Sequence, residues 1–289
     1  MQQLTPNVYS ETEIRGCDPS IVITREGAVL IDTAQWITNI EKMIAFATEK
    51  AGSIRYLINT ESHIDHIFGN HWVKKAGATI IGHEKILDTF FKIPPAFNME
   101  VHDYNVDIIC RQDPEALDRM PSEEDYIIAT PDITFTDQLT LRLGDHTFHC
   151  VHTPGHSPEQ ISVHVPEERC VFVGDTIFND CQIWLHSADI DDLLCTLDRL
   201  NSLDVDYIIP GHGPVRGKEC IIENKKFIYD WLTAVSDGIV KGWSKEECVE
   251  RINFADRCPV DIGQSECMEY VQSNNVRVCY DYLTRKLEL

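Results

Sequence analysis

The chain is poor in positive charge. Its 289 residues hold 25 Lys and Arg against 47 Asp and Glu, a formal net charge of −22. Such a balance repels phosphate backbones and anionic lipid surfaces, so a small-molecule substrate is expected and nucleic acid is not. No run of about eighteen apolar residues occurs, so no transmembrane helix and no membrane partner are expected. The N-terminus, Met1-Gln2-Gln3-Leu4-Thr5-Pro6-Asn7, lacks a basic stretch followed by an apolar core, so no signal peptide is expected. Eleven cysteines are present but no Cys-x-x-Cys pair. Scattered thiols of this kind read as reduced, mostly packing residues of a cytoplasmic protein. Cys150 and Cys170 belong to strand-like runs and are expected in the core, and Cys181, the one thiol close in sequence to a candidate ligand, is read as structural too. No Gly-x-Ser-x-Gly elbow marks a serine nucleophile, and no internal repeat is visible.

What the chain does have is ligands. Thr60-Glu61-Ser62-His63-Ile64-Asp65-His66 sets four metal-capable side chains into six positions, directly after the apolar run 54–59. Imidazole and carboxylate hold first-row divalent metals, and a loop leaving a strand can aim several at one point. Three more candidates follow: His156 in Thr153-Pro154-Gly155-His156-Ser157, Asp175 in Val173-Gly174-Asp175-Thr176, and His212 in Pro210-Gly211-His212-Gly213. Each comes after a β-like run and sits beside Gly or Pro, where a sheet edge delivers functional side chains. Together the four clusters point to a two-metal site.

The coarse pattern is mixed. Strands are expected at 7–10, 20–24 and 27–32, then a helix over 37–50 with Ile37, Ile40, Ile44 and Ala47 on one face. A strand at 54–59 delivers the ligand loop, a helix runs from about His66 to Lys75, a strand follows at 78–82, and a helix over about 83–91 stops before Pro94. The second half opens with strands at 132–136, 139–143 and 147–152, the last two joined by the turn Gly144-Asp145. Strands at 161–165 and 170–174, a helix over 189–201 and a strand at 207–209 complete it. Two similar halves of this kind fit an α+β fold with sheet on sheet and helices outside. Residues 93–126 form an insertion between the halves, with Phe97, Met99, His102 and Tyr104 near its start, expected to act as a partly ordered lid. Residues 217–289 read as a helical extension. Phe227, Trp231, Val235 and Ile239 recur there at helical spacing, a stripe suited to core or to a homodimer contact.

The ordered motifs resemble those of the metallo-β-lactamase superfamily, whose first motif normally reads His-x-His-x-Asp-His, and in particular its glyoxalase II-like hydrolase branch. The resemblance covers about Asn7 to Pro214. It implies an αββα sandwich with metals at the sheet edge, a catalytic domain over 1–216 that includes the insertion, and a helical extension over 217–289 packed on it. It implies two divalent metal ions, with Glu61, His63 and His156 on the first, Asp65, His66 and His212 on the second, and Asp175 bridging. Glu61 replaces the usual His. As a harder, anionic ligand it moves preference from zinc toward iron or manganese. Asp65 and Asp175 are also expected to orient the nucleophile. His102 and His186, in loops that the family places near the pocket mouth, are expected to contact substrate or donate a proton. His83 is expected to pack or to support a ligand, His71 to lie at the surface, and His146, His149, His152 and His164 to be structural. Two cations about 3.5–4 Å apart share a water and bring its pKa toward ~7. The expected function is therefore hydrolysis of a small ester, thioester, lactone or lactam by a bridging hydroxide. The alternative is a di-iron, O2-dependent oxidoreductase.

Overall fold

The computed structural model describes residues 1–88, 103, 106–122, 124–126 and 129–287. Two sheets form its centre. The first runs in the order β1 (Gln2–Gln3), β2 (Val8–Ser10), β3 (Ser20–Thr24), β4 (Gly27–Ile31), β5 (Ile54–Ile58), β6 (Thr79–His83) and β7 (Ile133–Phe135). The second is ordered β12 (Tyr207–Ile209), β11 (Cys170–Phe172), β10 (Ile161–Val165), β9 (His146–His152) and β8 (Gln138–Leu143). The helices are α1 (Ile37–Ala51), α2 (Ile64–Ile67), α3 (Asn70–Lys75), α4 (Ile190–Asn201), α5 (Glu219–Val240), α6 (Lys245–Arg251) and α7 (Met268–Leu287).

The layering follows from which face each strand residue presents. All five residues of β4 are buried. Ala28 and Leu30 pack with Ile37, Ile40 and Ala47 of α1, while Val29 and Ile31 join Phe148, Ile161 and Val163 between the sheets. A strand covered on both faces reads as a continuous apolar run for this reason. On the far side Val171 of β11 packs with Leu193, Leu197, Trp231 and Val235 of α4 and α5. Three apolar layers thus separate helix, sheet, sheet and helix, which is the expected α+β αββα sandwich with a helical C-terminal extension. No helix among the described residues is long and apolar enough to cross a membrane.

Three local expectations change. The segment 132–136 does not open the second sheet. Its strand β7 pairs in parallel with β6, Ile81 opposite Ile133, so the first sheet has seven strands and the second five. The helix expected from His66 to Lys75 is two short helices parted at Phe68 and Gly69. A Cβ on Gly69 would stand 2.7 Å from Thr33 Cβ, so the chain passes close against the end of β4 there. His71 is buried rather than superficial, between Trp72 and Tyr126.

Much of the insertion is anchored. Residues 106–112 are helical and Pro114–Arg119 forms a 3-10 turn, with Ile108, Ile109, Ala116 and Tyr126 buried against the outer layer of the first sheet. The part that carries Phe97, Met99, His102 and Tyr104 lies outside the described residues.

Candidate metal centre

β4 and β5 run in parallel in one sheet, β11 and β12 in the other, so their carboxyl ends open on the same edge. That edge is stitched across the sandwich: Ile161 N donates to Thr60 O at 2.8 Å, and Thr60 donates N–H and hydroxyl to Asp32 at 2.7 and 2.6 Å. Asp32 ends β4 in the left-handed region, φ 55°, a conformation a non-glycine residue holds only where its surroundings fix it. Two glycines make the close approach feasible. A Cβ on Gly174, φ +49°, would lie 2.3 Å from Gln160 Nε2, and one on Gly211 would lie 2.0 Å from Asp175 Oδ1.

The edge gathers the predicted ligands into two adjoining groups. Glu61, His63, His156 and Asp175 form one, and Asp65, His66 and His212 the other. Asp175 stands between them. Its Oδ2 is 3.4 Å from His156 Nε2, and its Oδ1 is 3.1 Å from His66 Nε2 and 3.4 Å from His212 Nε2. Asp65 Oδ2 is 3.4 Å from His212 Nε2. His63 Nδ1 lies against Glu61 Oε2 and 3.2 Å from His156 Nε2.

The imidazoles are held from behind. His66 Nδ1 donates to Asp32 Oδ2 at 2.9 Å, His212 Nδ1 to Asp261 Oδ2 at 2.9 Å, and His156 Nδ1 to the Trp184 carbonyl at 3.0 Å. Each of these bonds orients its ring and turns Nε2 toward the centre. Burial holds His156 well below the usual histidine pKa, so its ring is neutral. Burial also raises Glu61 above the usual carboxylate range, against the pull of His63. For Asp175 burial acts upward too, but His212 and His66 hold it well below that range.

This donor set fits divalent cations. Glu61 is fully enclosed, with His63 Nδ1 against its Oε2 and no hydrogen bond to its Oε1. The neutral His156 presents a lone pair to the Asp175 carboxylate and to another imidazole nitrogen. Enclosed acceptors that converge in this way repel one another unless positive charge lies among them.

Residues 15–212 match the Metallo-beta-lactamase superfamily. The chain belongs to that superfamily. It is 26% identical over 208 residues to the Beta-lactamase-like protein 2 homolog of Caenorhabditis elegans, covering 71% of this chain and 58% of that one. It is 32% identical over 94 residues to the Acyl-coenzyme A thioesterase MBLAC2 of Bos taurus, 31% of this chain and 34% of that one. The chain thus spans between a third and three-fifths of the length of these curated relatives. The crystal structure of a metallo-beta-lactamase family protein from Thermus thermophilus superposes with a TM-score of 0.64 at 16% identity, over 99% of this chain and 95% of that one, and shows the fold.

The two groups open into a cavity of about 180 Å³ walled in part by His63, Asp65, Asp175 and His212. His186 also lines it, 5.0 Å ring to ring from His63 and 5.8 Å from Trp184. Burial and His63 push its pKa down to about 4. His102 lies outside the described residues. His83 stays out of the centre: it stacks on His152 at 4.0 Å and its Nε2 meets Thr136 O at 2.6 Å. The thiol nearest the centre is Cys17, which clusters with Asp32 and His66. Cys181 is buried and lines a separate cavity with Cys258.

Sequence reasoning passed over Asp32, Asp261, Arg15, Gln35 and Gln264. Asp32 carried a usable signal, a carboxylate at the end of an apolar strand. Asp261 carried none, since it lies 49 residues from His212 in a loop between helices.

Proposed function

We propose that the chain is a dinuclear metal-dependent hydrolase of small esters, thioesters or cyclic lactone and lactam substrates. The observation that carries this reading is Asp175, a buried carboxylate with one oxygen toward each ligand group. In this proposal Glu61, His63 and His156 hold one divalent ion, Asp65, His66 and His212 hold the other, and Asp175 serves both. Two such ions supply a nucleophile at neutral pH by lowering the pKa of a shared water toward ~7. The protein's part is to hold the ligand atoms rigidly. Asp32, Asp261 and the Trp184 carbonyl fix three rings, and Asp65 and Asp175 would orient the nucleophile while ligating. His186, on the cavity wall, contacts the substrate.

The bovine relative named as an acyl-coenzyme A thioesterase supports the thioester among these bonds, over the third of its length that aligns. Residues 217–289 belong to the same working unit in this reading, because Asp261 and Gln264 reach the centre from there. The net charge and the unpaired thiols support a cytoplasmic site of action on a small soluble substrate. Zinc is the expected ion, and the Glu61 carboxylate makes iron or manganese the alternative.

Reconstitution with zinc, iron and manganese, followed by elemental analysis and a panel of thioesters, lactones, β-lactams and phosphodiesters, tests the proposal. Two equivalents of metal and cleavage of a small carbonyl substrate are expected. One equivalent or fewer, or cleavage of nucleic-acid phosphodiesters alone, overturns it. A second reading draws on the enclosed Glu61: a carboxylate-rich pair suits iron and dioxygen chemistry. O2 uptake by the iron-loaded protein, without hydrolysis of any substrate in the panel, would favour that reading.

A further inference from the structure

Arg15 is the charged residue in the cavity that metal chemistry does not use. It lies in the loop between β2 and β3 and is 4% exposed. It is the only Lys or Arg among the described residues that line the cavity of the metal centre. In a chain of net charge −22, a guanidinium enclosed beside a metal site needs a reason, since burying an ion costs several kcal/mol unless partners replace its water.

Its partners are too few. Among the described residues its guanidinium makes one hydrogen bond, Nη1 to Glu266 Oε1 at 3.2 Å, and its Nε is enclosed without an acceptor. Glu266 is 55% exposed, on the short turn Ser265–Cys267. The Trp36 ring lies 5.9 Å from Arg15 Cζ, within the range of a cation–π contact, and Gly263 backs the aliphatic stem. The side chain is thus held in place while the fork of N–H groups, which suits a carboxylate in two-point contact, is engaged at one point by a carboxylate from the surface.

We propose that Arg15 is a specificity-determining residue that anchors a carboxylate carried by the substrate, remote from the bond that is cleaved. Glu266 shows which chemistry the guanidinium accepts, and its exposure makes it easy to displace. Gln35 and Gln264, on the same cavity wall, supply neutral polar contacts around the anchored group. The substrate class becomes a small monoanionic ester or thioester. This assignment rests on the hydrolase reading for the bond cleaved, but not for the binding of the anion.

The test compares S-acetylmercaptoacetate with its neutral carboxamide on the metal-loaded full chain. The native protein should favour the acid in kcat/KM, and Arg15→Gln should raise the KM of the acid about 10- to 100-fold, the loss of a charge-assisted pair, so that the acid-to-amide ratio falls toward one. Arg15→Lys should recover part of the ratio. Glu266→Ala should lower the KM of the acid, which serves as an independent check if Arg15→Gln does not fold. A native protein without preference, a ratio unchanged in Arg15→Gln, or a KM unchanged in Glu266→Ala would each overturn the assignment. If neither thioester is hydrolysed, the hydrolase reading is at fault. Calorimetric titration with mercaptoacetate and mercaptoacetamide then decides the anion site alone: preference for the acid, lost in Arg15→Gln, sustains it, and equal affinities reject it.

Discussion

The two ligand groups solve the same problem by different means. In the group of Asp65, His66 and His212, both imidazoles are backed by buried carboxylates, Asp32 and Asp261. In the group of Glu61, His63 and His156, the one imidazole with a partner behind it is backed by a neutral carbonyl, and His63 keeps 29% of its side chain exposed. A carboxylate behind an imidazole raises its basicity and fixes its orientation. The group without such carboxylates carries its negative charge directly in Glu61, fully enclosed. One group therefore adds two carboxylates behind its rings to the carboxylate of Asp65, while the other has the carboxylate of Glu61 and none behind its rings.

Asp175→Ala removes the element common to both groups and should have the largest effect. Both ions are expected to be lost, with hydrolysis falling beyond the roughly 100-fold that follows loss of an outer partner. Retention of two equivalents by elemental analysis would remove Asp175 from the shared position. Asp32→Asn and Asp261→Asn come next. Each keeps shape while discharging the support of one ring, so affinity for one of the two ions should fall about 10- to 100-fold and the other should hold. Stepwise chelator titration separates the two affinities, and equal weakening of both would end the contrast drawn above.

Glu61→His should act more gently. It replaces an anion by a neutral imidazole, so two-metal binding persists and preference moves toward zinc over iron or manganese. Competitive reconstitution measures it, and an unchanged preference would place Glu61 outside the metal's ligands. The smallest effect is expected away from both groups, at Glu168. Burial raises its pKa, but hydrogen bonds from Thr5, Asn7 and His146 bring it below the usual 4.5. A carboxyl whose folded pKa lies below its unfolded one adds stability that is complete above the unfolded value and is lost as pH falls through the folded value. Melting temperature should therefore drop more steeply below about pH 4.5 in the native protein than in Glu168→Gln, with metal content at neutral pH unchanged.

Much of the fold was legible because its signals are local. The run Gly27–Ile31 and the period of Ile37, Ile40 and Ala47 identify β4 and α1 from neighbours in the chain alone. The placement of residues 132–136 was not legible, since a strand's own residues do not say which sheet it joins. His71 shows the same limit: a polar residue on a short helix reads as surface until Trp72 and Tyr126 close over it.

The seven candidate ligands were legible in the sequence itself, because His and carboxylate are ligand types for divalent metals and strand-end motifs repeat that chemistry in order. The replacement at Glu61, and with it the added negative charge, was also there to be read. What surrounds those ligands was decided by tertiary structure. Asp32 meets His66 across 34 residues, Asp261 meets His212 across 49, and Arg15 meets Glu266 across 251. Such pairs have no spacing signature, because their partners come from different elements and meet only when the sheets and the C-terminal segment pack. The chemical type of a ligand is a property of single residues, whereas ring orientation and burial arise from neighbours that only the fold brings together.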